Sequence, residues 1–334
     1  MNGVVKGLLP FAVAVPVLLL LQALTADAPF LVILSLGVGV NIILAVSLNI
    51  VNGMTGQFSI GHAGFMAVGA YIAGVVSKAT AAYGIAVLPV VVSDQVLYAF
   101  SLLLGGLAAA LFGFLVGLPS LRLKGDYLAI VTLGFGEIIR VVVQNTEMFG
   151  KALGLAGVPQ RTSLFSCYFV VVVVVVAARR IADSTHGRAL LAIREDEVAA
   201  EAMGVNTTAY KVRSFVVASF FAGLAGGVFA HYQSIVAPGS FSYVKSMEVV
   251  VMVVAGGLGS TTGAIVAAVV LSLLPEALRS LSLNEQIRMP LYGLLLVIIM
   301  LVRPQGLFGT REIWQVGPFR KRPAPKPTTP TVTP

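Results

Sequence analysis

Long uninterrupted runs of apolar residues restrict the fold of this chain more than any other feature. Most have the length, about 17–25 residues, that crosses a bilayer core as an α-helix, and none has the roughly ten-residue alternation of a membrane β-barrel. The chain is 57% hydrophobic, with a mean hydropathy of +0.95, far above a soluble domain. The sequence therefore predicts an all-α, multi-pass membrane protein. The predicted crossings, about eight in number, are 8–24, 31–51, 58–77, 96–118, 127–144, 164–178, 213–235 and 288–302.

A further apolar run, 247–274, contains the segment GGLGSTTG from Gly256 to Gly263. Glycine and hydroxyl residues weaken helical continuity, so we expect a break near the bilayer centre and two half-helices that form a re-entrant hairpin. With this hairpin and a cytoplasmic N-terminus, fifteen of the 22 Lys and Arg residues lie in the cytoplasm, as the positive-inside rule favours. A full crossing would divide them almost evenly, so we expect both termini in the cytoplasm.

The chain is predicted to have a membrane domain, 1–309, and a C-terminal tail, 310–334. The end of the tail, RPAPKPTTPTVTP, is rich in proline and threonine and lacks hydrophobic anchors, which predicts a disordered cytoplasmic segment. The first apolar run with Ala26-Asp27-Ala28 also resembles a cleaved signal peptide. We expect it to be retained, because a multi-pass protein needs no removable signal.

The segment AIREDEVAAEAMGVN, 192–206, lies in the largest predicted cytoplasmic loop, 179–212, and carries five charges in a chain that is only 11% charged. Acidic residues favour a helix start and glycine favours a helix end, which predicts one helix of about ten residues over 193–204. Asn206, Thr207 or Thr208 would cap the next span. The helix would have a small apolar face, formed by Val198, Ala199, Ala202 and Met203. Such a helix is either a docking lever that moves the following span or a solvated connector.

Several polar residues interrupt the predicted spans. Glu137 and Arg140 are three residues apart on one helix, close enough to pair, and an acidic group inside a span is a functional hypothesis by default. Polar groups among glycines in GQFSIGHAGF, 56–65, are suited either to an aqueous path or to contacts between helices. Helix ends at the GGLGSTTG break would suit the carboxylate and ammonium of a zwitterion. Candidate residues of a translocation path are Gln57, Ser59, His62, Glu137, Gly256, Gly257 and Ser260.

Catalytic and metal chemistry are not indicated. Cys167 is the single cysteine, and His62, His186 and His231 are too scattered to hold a metal. The chain lacks a G-x-x-x-x-G-K-[ST] phosphate loop and convergent acid, base or nucleophile groups within the spans. The net charge of +8 is typical of basic residues that orient a membrane protein, so we expect no nucleic-acid partner. We predict that this chain is not an enzyme and binds no cofactor or metal.

Four segments, in order along the chain, carry a resemblance to a known family: 56–74, 121–140, 192–230 and RPQGLFG at 303–309. They resemble the LivM-type permease of branched-chain amino acid ABC transporters, and the likeness covers residues from about 30 to 309. It implies a permease-like helical bundle and identifies the charged loop as an ATPase-coupling segment, often written Glu-Ala-Ala with a later glycine. EVAA at 197–200 and EAMG at 201–204 each match part of that pattern. The implied coupling residues are Glu195, Asp196, Glu197, Ala199, Ala200, Glu201, Ala202 and Gly204.

The resemblance implies the permease subunit of an ATP-driven importer for leucine, isoleucine and valine in a prokaryotic cytoplasmic (inner) membrane. The implied partners are a second homologous permease, two cytoplasmic ABC ATPases that bind ATP and Mg, and an extracytoplasmic amino-acid-binding protein. Two alternatives remain. A related permease would carry urea or short-chain amides, and an ion-coupled secondary transporter would use Glu137 as its ion site.

Overall fold

A computed structural model of the chain describes residues 28–81, 90–121 and 125–280, together with positions 22, 123, 291, 293, 294, 306, 307 and 309. The three continuous ranges contain ten α-helices. They are α1 (Pro29–Asn49), α2 (His62–Ala81), α3 (Val90–Ser120), α4 (Asp126–Asn145), α5 (Leu164–Asp183), α6 (Thr185–Glu195), α7 (Glu197–Ala202), α8 (Thr207–Gln233), α9 (Tyr243–Gly256) and α10 (Thr261–Ser280). Strands β1 (Leu155–Ala156) and β2 (Ile235–Val236) pair in an antiparallel arrangement.

Six of the described helices are long and apolar enough to cross a membrane: Pro29–Met54, His62–Ala81, Asp94–Ser120, Leu164–Asp183, Thr207–Gln233 and Thr261–Arg279. The all-α, polytopic fold is therefore confirmed. Helix α4 coincides with the predicted crossing 127–144 but is not among the six. The predicted crossings 8–24 and 288–302 lie outside the described residues except at single positions. The predicted tail, 310–334, lies entirely outside the described residues.

Close packing of small residues holds the centre of the bundle together. Helices α2, α3 and α8 pack tightly against one another, and a Cβ added to Gly105 of α3 would lie 2.7 Å from the Gly69 carbonyl oxygen of α2. Gly69 in turn lies against the backbone of Gly223 in α8. In membrane bundles small residues let backbones approach and gain van der Waals contact, which accounts for the glycine-rich spans of this sequence.

Helix α1 ends in a π-helical turn, Ile50–Met54, and the next helix begins only at His62. The predicted crossing at 58–77 therefore starts four residues too early. The reason is a reciprocal pair of hydrogen bonds: Asn52 Nδ2 donates to Ser59 O (3.3 Å) and Ser59 N donates to Asn52 Oδ1 (3.1 Å). These bonds hold the intervening segment in a non-helical conformation against the bundle.

Two ends of the bundle can be distinguished by the elements that lie there. The strand end carries β1 and β2, and there Lys78 Nζ of α2 donates to Ala156 O (2.8 Å). The loop end carries α6 and α7, and there Arg194 of α6 donates to Gly53 O (3.0 Å) beside the C-terminus of α1. Helix α1 therefore runs toward the loop end and α2 toward the strand end.

Helices α9 and α10 form a hairpin, as the sequence predicts for 247–274. Asn41, in the middle of α1, contacts both arms, since its Oδ1 accepts from Lys245 Nζ (2.8 Å) and its Nδ2 donates to Ser272 Oγ (2.8 Å). Between Lys245 and Ser272, the chain reaches the C-terminal end of α1, where Gly259 N donates to Asn49 Oδ1 (2.9 Å). The chain therefore passes along α1 in one direction and returns in the other.

The depth of the break differs from the expectation. The tip, 257–260, lies at the loop end beside Arg194 rather than midway along the bundle. The arms are unequal as well, because α9 has 14 residues and α10 has 20. Since α10 is among the six helices long enough to cross a membrane, the prediction of two half-helices is wrong for this arm. Gly257 and Gly259 adopt positive φ, which glycine permits at no steric cost. Local composition therefore predicted the turn, but the contacts with α1 decide its depth.

Candidate coupling site and mid-helix polar residues

The charged segment forms two short helices rather than the single helix of about ten residues that the sequence predicts. Helix α6 ends at Glu195, and α7 spans only Glu197–Ala202. Asp196 separates them because its backbone is extended and its Oδ1 accepts from Val198 N (2.9 Å) and Ala199 N (3.0 Å). An aspartate at this position caps a new helix, so the acidic residues mark the start of α7 alone.

Helix α7 ends in a glycine turn that leads into the next span. Gly204 has φ +84, Gly204 N donates to Glu201 O (2.9 Å), and Val205 N donates to Ala200 O (3.1 Å). This pair of bonds is the Schellman motif, in which glycine adopts the left-handed conformation. Asn206 Oδ1 then accepts from Ala209 N (3.0 Å) and caps α8. The predicted stop and the predicted cap are thus both present.

Two of the predicted coupling glutamates, Glu197 and Glu201, bind to the next membrane helix, α8. Glu197 forms an ion pair with Lys211 Nζ at 2.6 Å, and the Lys211 side chain is buried. Glu201 Oε1 accepts from Thr207 Oγ1 at 2.6 Å. Both contacts join α7 to α8, one of the six apolar spanning helices, and the buried side chain of Ala200 lies between them in sequence. These residues fix α7 onto the membrane helix.

The other face of α7 is open. Val198, Ala199, Ala202 and Met203 are exposed, with Met203 at 85%, and we call these four residues the docking face. Glu195, Asp196 and Gly204 are also exposed around it. The apolar face predicted from the sequence is therefore present at the surface. Val198 and Met203 are its two large side chains, although the family pattern does not point to them.

Arg194 joins α6 to the end of α1 and to the hairpin tip. In addition to the bond to Gly53, its Nη2 pairs with Glu195 Oε1 at 2.8 Å. A Cβ added to Gly56 would lie 2.7 Å from Arg194 Cγ, and one added to Gly259 would lie 2.9 Å from Arg194 Nη1. Sequence reasoning gave no special role to this arginine, because Gly53, Gly56 and Gly259 are all distant from it in sequence.

The predicted path residues at the hairpin lie at the loop end. Gly256, Gly257 and Ser260 are buried, and Leu307 N donates to Ala255 O (2.8 Å) on the neighbouring turn. Asn49 Nδ2, beside them, has no hydrogen-bond partner within the described part of the chain. The segment RPQGLFG therefore reaches the tip through the positions that the structure describes.

The predicted path residues before α2 are enclosed within this chain. Gln57, Ser59 and His62 are all buried. His62 Nε2 lies 2.7 Å from Ser47 Oγ of α1, which is the interhelical contact that the sequence allowed as an alternative. Gln57 Oε1 and Ser59 Oγ lack a partner among the described residues. Their place in a translocation path stays a prediction.

Glu137 is paired as predicted, and it also has a second role. Arg140 Nε donates to Glu137 Oε2 at 2.7 Å, while Glu137 Oε1 accepts from Tyr243 N at 2.9 Å at the start of α9. Two residues further on, Lys245 Nζ pairs with Glu248 Oε2 at 2.9 Å and also contacts Asn41. The sequence analysis did not select Asn41, Lys245 or Glu248, although the i,i+3 spacing of Lys245 and Glu248 in an apolar run was a visible signal.

The described residues contain no group of three or more His, Cys, Asp or Glu side chains that could hold a metal. Cys167 is free and buried. In α6, burial and then the positive charge of Arg213 lower the pKa of His186 below its ordinary value. His186 is therefore neutral at pH 7 and adds no charge to the loop end.

Known proteins similar to this chain match it along most of its length. The family described as "Branched-chain amino acid transport system / permease component" matches residues 30–301. The chain is 36% identical over 301 residues to the high-affinity branched-chain amino acid transport system permease protein LivM of Escherichia coli (strain K12), an alignment that covers 80% of this chain and 67% of that protein.

More distant relatives follow the same pattern. The chain is 24% identical over 241 residues to the probable branched-chain amino acid transport permease protein LivM of Methanocaldococcus jannaschii, covering 64% of this chain and 69% of that protein. It is also 30% identical over 133 residues to the permease protein LivH of Escherichia coli (strain K12), covering 40% of this chain and 42% of that protein. No solved structure matches the chain.

Proposed function

Because the chain belongs to the family of branched-chain amino acid transport permeases, we propose that it is the membrane-spanning permease subunit of an ABC importer for leucine, isoleucine and valine. The observation that carries the coupling role is the docking face on α7, an exposed apolar surface on a helix tied to a membrane span by the Glu197–Lys211 ion pair. A partner that binds this face moves α8 with it.

The energy source is a pair of cytoplasmic ATPases that bind ATP and Mg and dock on α7. Movement of the docking face passes to α8 through Lys211, and to the end of α1 and the hairpin tip through Arg194. This second connection is direct, because the Arg194 guanidinium contacts both Gly53 after α1 and Gly259 at the hairpin tip. The loop end is therefore cytoplasmic and the strand end faces outward, in the inner membrane of a prokaryote.

The remaining partners are a second permease and an extracytoplasmic binding protein that delivers the amino acid. The partial similarity to LivH over 133 residues supports a related permease as the neighbour. An ion-coupled mechanism at Glu137 is less well supported, because the family that matches residues 30–301 is described as a permease component of a branched-chain amino acid transport system. No observation favours urea or a short-chain amide over an amino acid.

Reconstitution tests this function. The chain is placed in liposomes with its ATPases, its second permease and its binding protein, and uptake of labelled leucine is measured. We expect uptake that requires ATP and the binding protein, and no ATP hydrolysis by the purified chain alone. Uptake driven by a proton or sodium gradient in liposomes that contain only this chain would contradict the proposal.

A further inference from the structure

Two pairs of charged side chains lie within apolar helices, and one member of each pair lies near the middle of a helix. Glu137 is eleven residues after the start of α4 and eight before its end, which places it roughly 16 Å and 12 Å from the two ends at about 1.5 Å per residue. Lys245 contacts Asn41, which is twelve residues after the start of Pro29–Met54 and thirteen before its end. Glu137 therefore lies near the middle of α4, and Lys245 lies beside the middle of the membrane span Pro29–Met54.

The two ion pairs meet at the start of α9, where Tyr243 N donates to Glu137 two residues before Lys245. On α4, Glu137 pairs with Arg140 and also accepts from Tyr243 N at the start of α9. On the first two turns of α9, Lys245 pairs with Glu248. We call Glu137, Arg140, Lys245 and Glu248 the polar seam. Their side chains are between 21% and 31% exposed, and the exposed residue Val244 lies one turn before Glu248 on α9.

Contact between the charged residues of the polar seam and lipid is unfavourable. A charged side chain at the bilayer centre costs about 2.5–3.5 kcal/mol on insertion scales, so such residues face the bundle interior, a protein or a water-filled cavity. By contrast, the exposed face of α3 around Leu107 and Leu111 is apolar and suits lipid. Because part of each charged side chain stays exposed, we infer that water or a neighbouring protein, rather than lipid, covers this side of the molecule.

We propose that the polar seam lines the translocation route where this chain faces the second permease, and that it recognises the zwitterionic part of an α-amino acid. Arg140 and Lys245 receive the carboxylate, while Glu137 and Glu248 receive the ammonium group. The inference rests on the proposed function, which it deepens by assigning the substrate contacts to particular residues.

The pairing of the charges explains why a zwitterion fits. Each cation of the seam already has an anionic partner at 2.7 Å or 2.9 Å, so a single charge entering the route would leave one member of a pair unmatched. A ligand with both signs can replace both partners at once. Because it must compete with these internal pairs, it binds weakly and is released, as transport requires.

Cysteine labelling tests the water-filled route. In a Cys167→Ser background, Val244→Cys, 57% exposed and four residues before Glu248 on the same face of α9, is compared with Leu107→Cys, 51% exposed on α3. The assembled importer in vesicles is treated with a charged, impermeant methanethiosulfonate. We expect Val244→Cys to react about tenfold faster than Leu107→Cys, because charged reagents modify thiols in water. Equal, slow reaction of both cysteines would overturn the route assignment.

Charge exchange tests the contact with the substrate. Glu248→Gln should leave Lys245 unpaired and reduce uptake, and the double variant Lys245→Glu/Glu248→Lys restores an ion pair with its signs exchanged. We expect the double variant to assemble with its partners as the wild type does, yet to import leucine at least about tenfold more slowly. Full recovery of uptake would show that the pair only packs helices and would overturn the substrate contact.

These results are separable from the proposed function. If wild-type vesicles fail to import leucine with ATP, the importer assignment fails whatever the labelling pattern. If they import leucine but the seam variants behave like the wild type, only the route inference fails.

Discussion

Arg194 illustrates how one side chain can join the loop end to the membrane helices. It lies at the end of α6, one residue before the cap of α7, and its guanidinium donates to the backbone of Gly53. Its position between Gly56 and Gly259 leaves no room for a Cβ on either glycine without displacing it. Arg194 thus contacts two separate membrane segments that also touch each other through Gly53 and Gly259.

Replacement of Arg194 by alanine should uncouple ATP hydrolysis from transport. A hydrogen bond to a charged group contributes about 1.5–3 kcal/mol, so the number of ATP molecules hydrolysed per leucine imported should rise roughly tenfold while the ATPases stay bound. Arg194→Lys should be intermediate because lysine lacks the planar fork. Arg188→Ala, on the exposed face of the same helix, is the control. An unchanged ratio in Arg194→Ala would exclude this residue as a mechanical link.

At the scale of elements, α7 is a six-residue helix with two distinct faces. One face is fixed to α8 by Glu197 and Glu201, and the other, the docking face, is open. An isolated helix of this length is unstable in water, so its structure depends on the Asp196 cap, the glycine turn and the contacts with α8. A short helix held in this way moves with the span rather than bending away from it.

Met203→Asp should prevent the ATPases from docking. The substitution places a charge in an exposed apolar face, and the matched control is Leu153→Asp at the strand end, where the native side chain is 88% exposed against 85% for Met203. We expect Met203→Asp to lower ATPase retention in pull-down at least about tenfold and Leu153→Asp to leave it unchanged. Ala202→Trp should act like Met203→Asp by steric exclusion.

Gly204 is a less informative site for this test. A Cβ there would meet nothing within 4 Å, but the φ of +84 strains any other residue. Gly204→Leu would therefore disturb the turn as well as the surface. Retention of the ATPases by both Met203→Asp and Ala202→Trp would show that α7 is a connector.

At the scale of the whole molecule, the hairpin of α9 and α10 sets the topology. Both outer ends of the hairpin lie away from the loop end, while its tip contacts Asn49 and Arg194. The exposed residues Ser240 and Arg279 mark the two outer ends, and the exposed Leu258 marks the tip. The arrangement predicts that the chain enters and leaves this region on one side of the membrane.

Labelling with impermeant thiol reagents should show on which side of the membrane each end of the hairpin lies. In the Cys167→Ser background, Ser240→Cys and Arg279→Cys should both be labelled from outside intact cells, and Leu258→Cys should be labelled only after the membrane is opened. Labelling of Ser240→Cys but not Arg279→Cys from outside would mean that 247–274 crosses the membrane once, and the hairpin topology would be wrong.

The sequence by itself determined the membrane class, the helical spans and the places where they break. Hydrophobicity, glycine and capping residues act over a few neighbours, so the runs at 31–51 and 213–235, the break after Gly256 and the Asn206 cap can all be predicted locally. The ion pair of Glu137 and Arg140 can also be predicted locally, because side chains three residues apart lie next to each other on a helix.

Only the tertiary structure decided which polar groups meet. Lys245 binds Asn41 and Arg194 binds Gly53, pairs separated by 204 and 141 residues, and neither pattern nor composition specifies such partners. The same long-range contacts placed the hairpin tip at the loop end and divided the charged segment of α7 into an anchored and an exposed face. The physical reason is that burial and pairing depend on the helices that surround a side chain, whereas the tendency to form a helix depends on its neighbours in sequence.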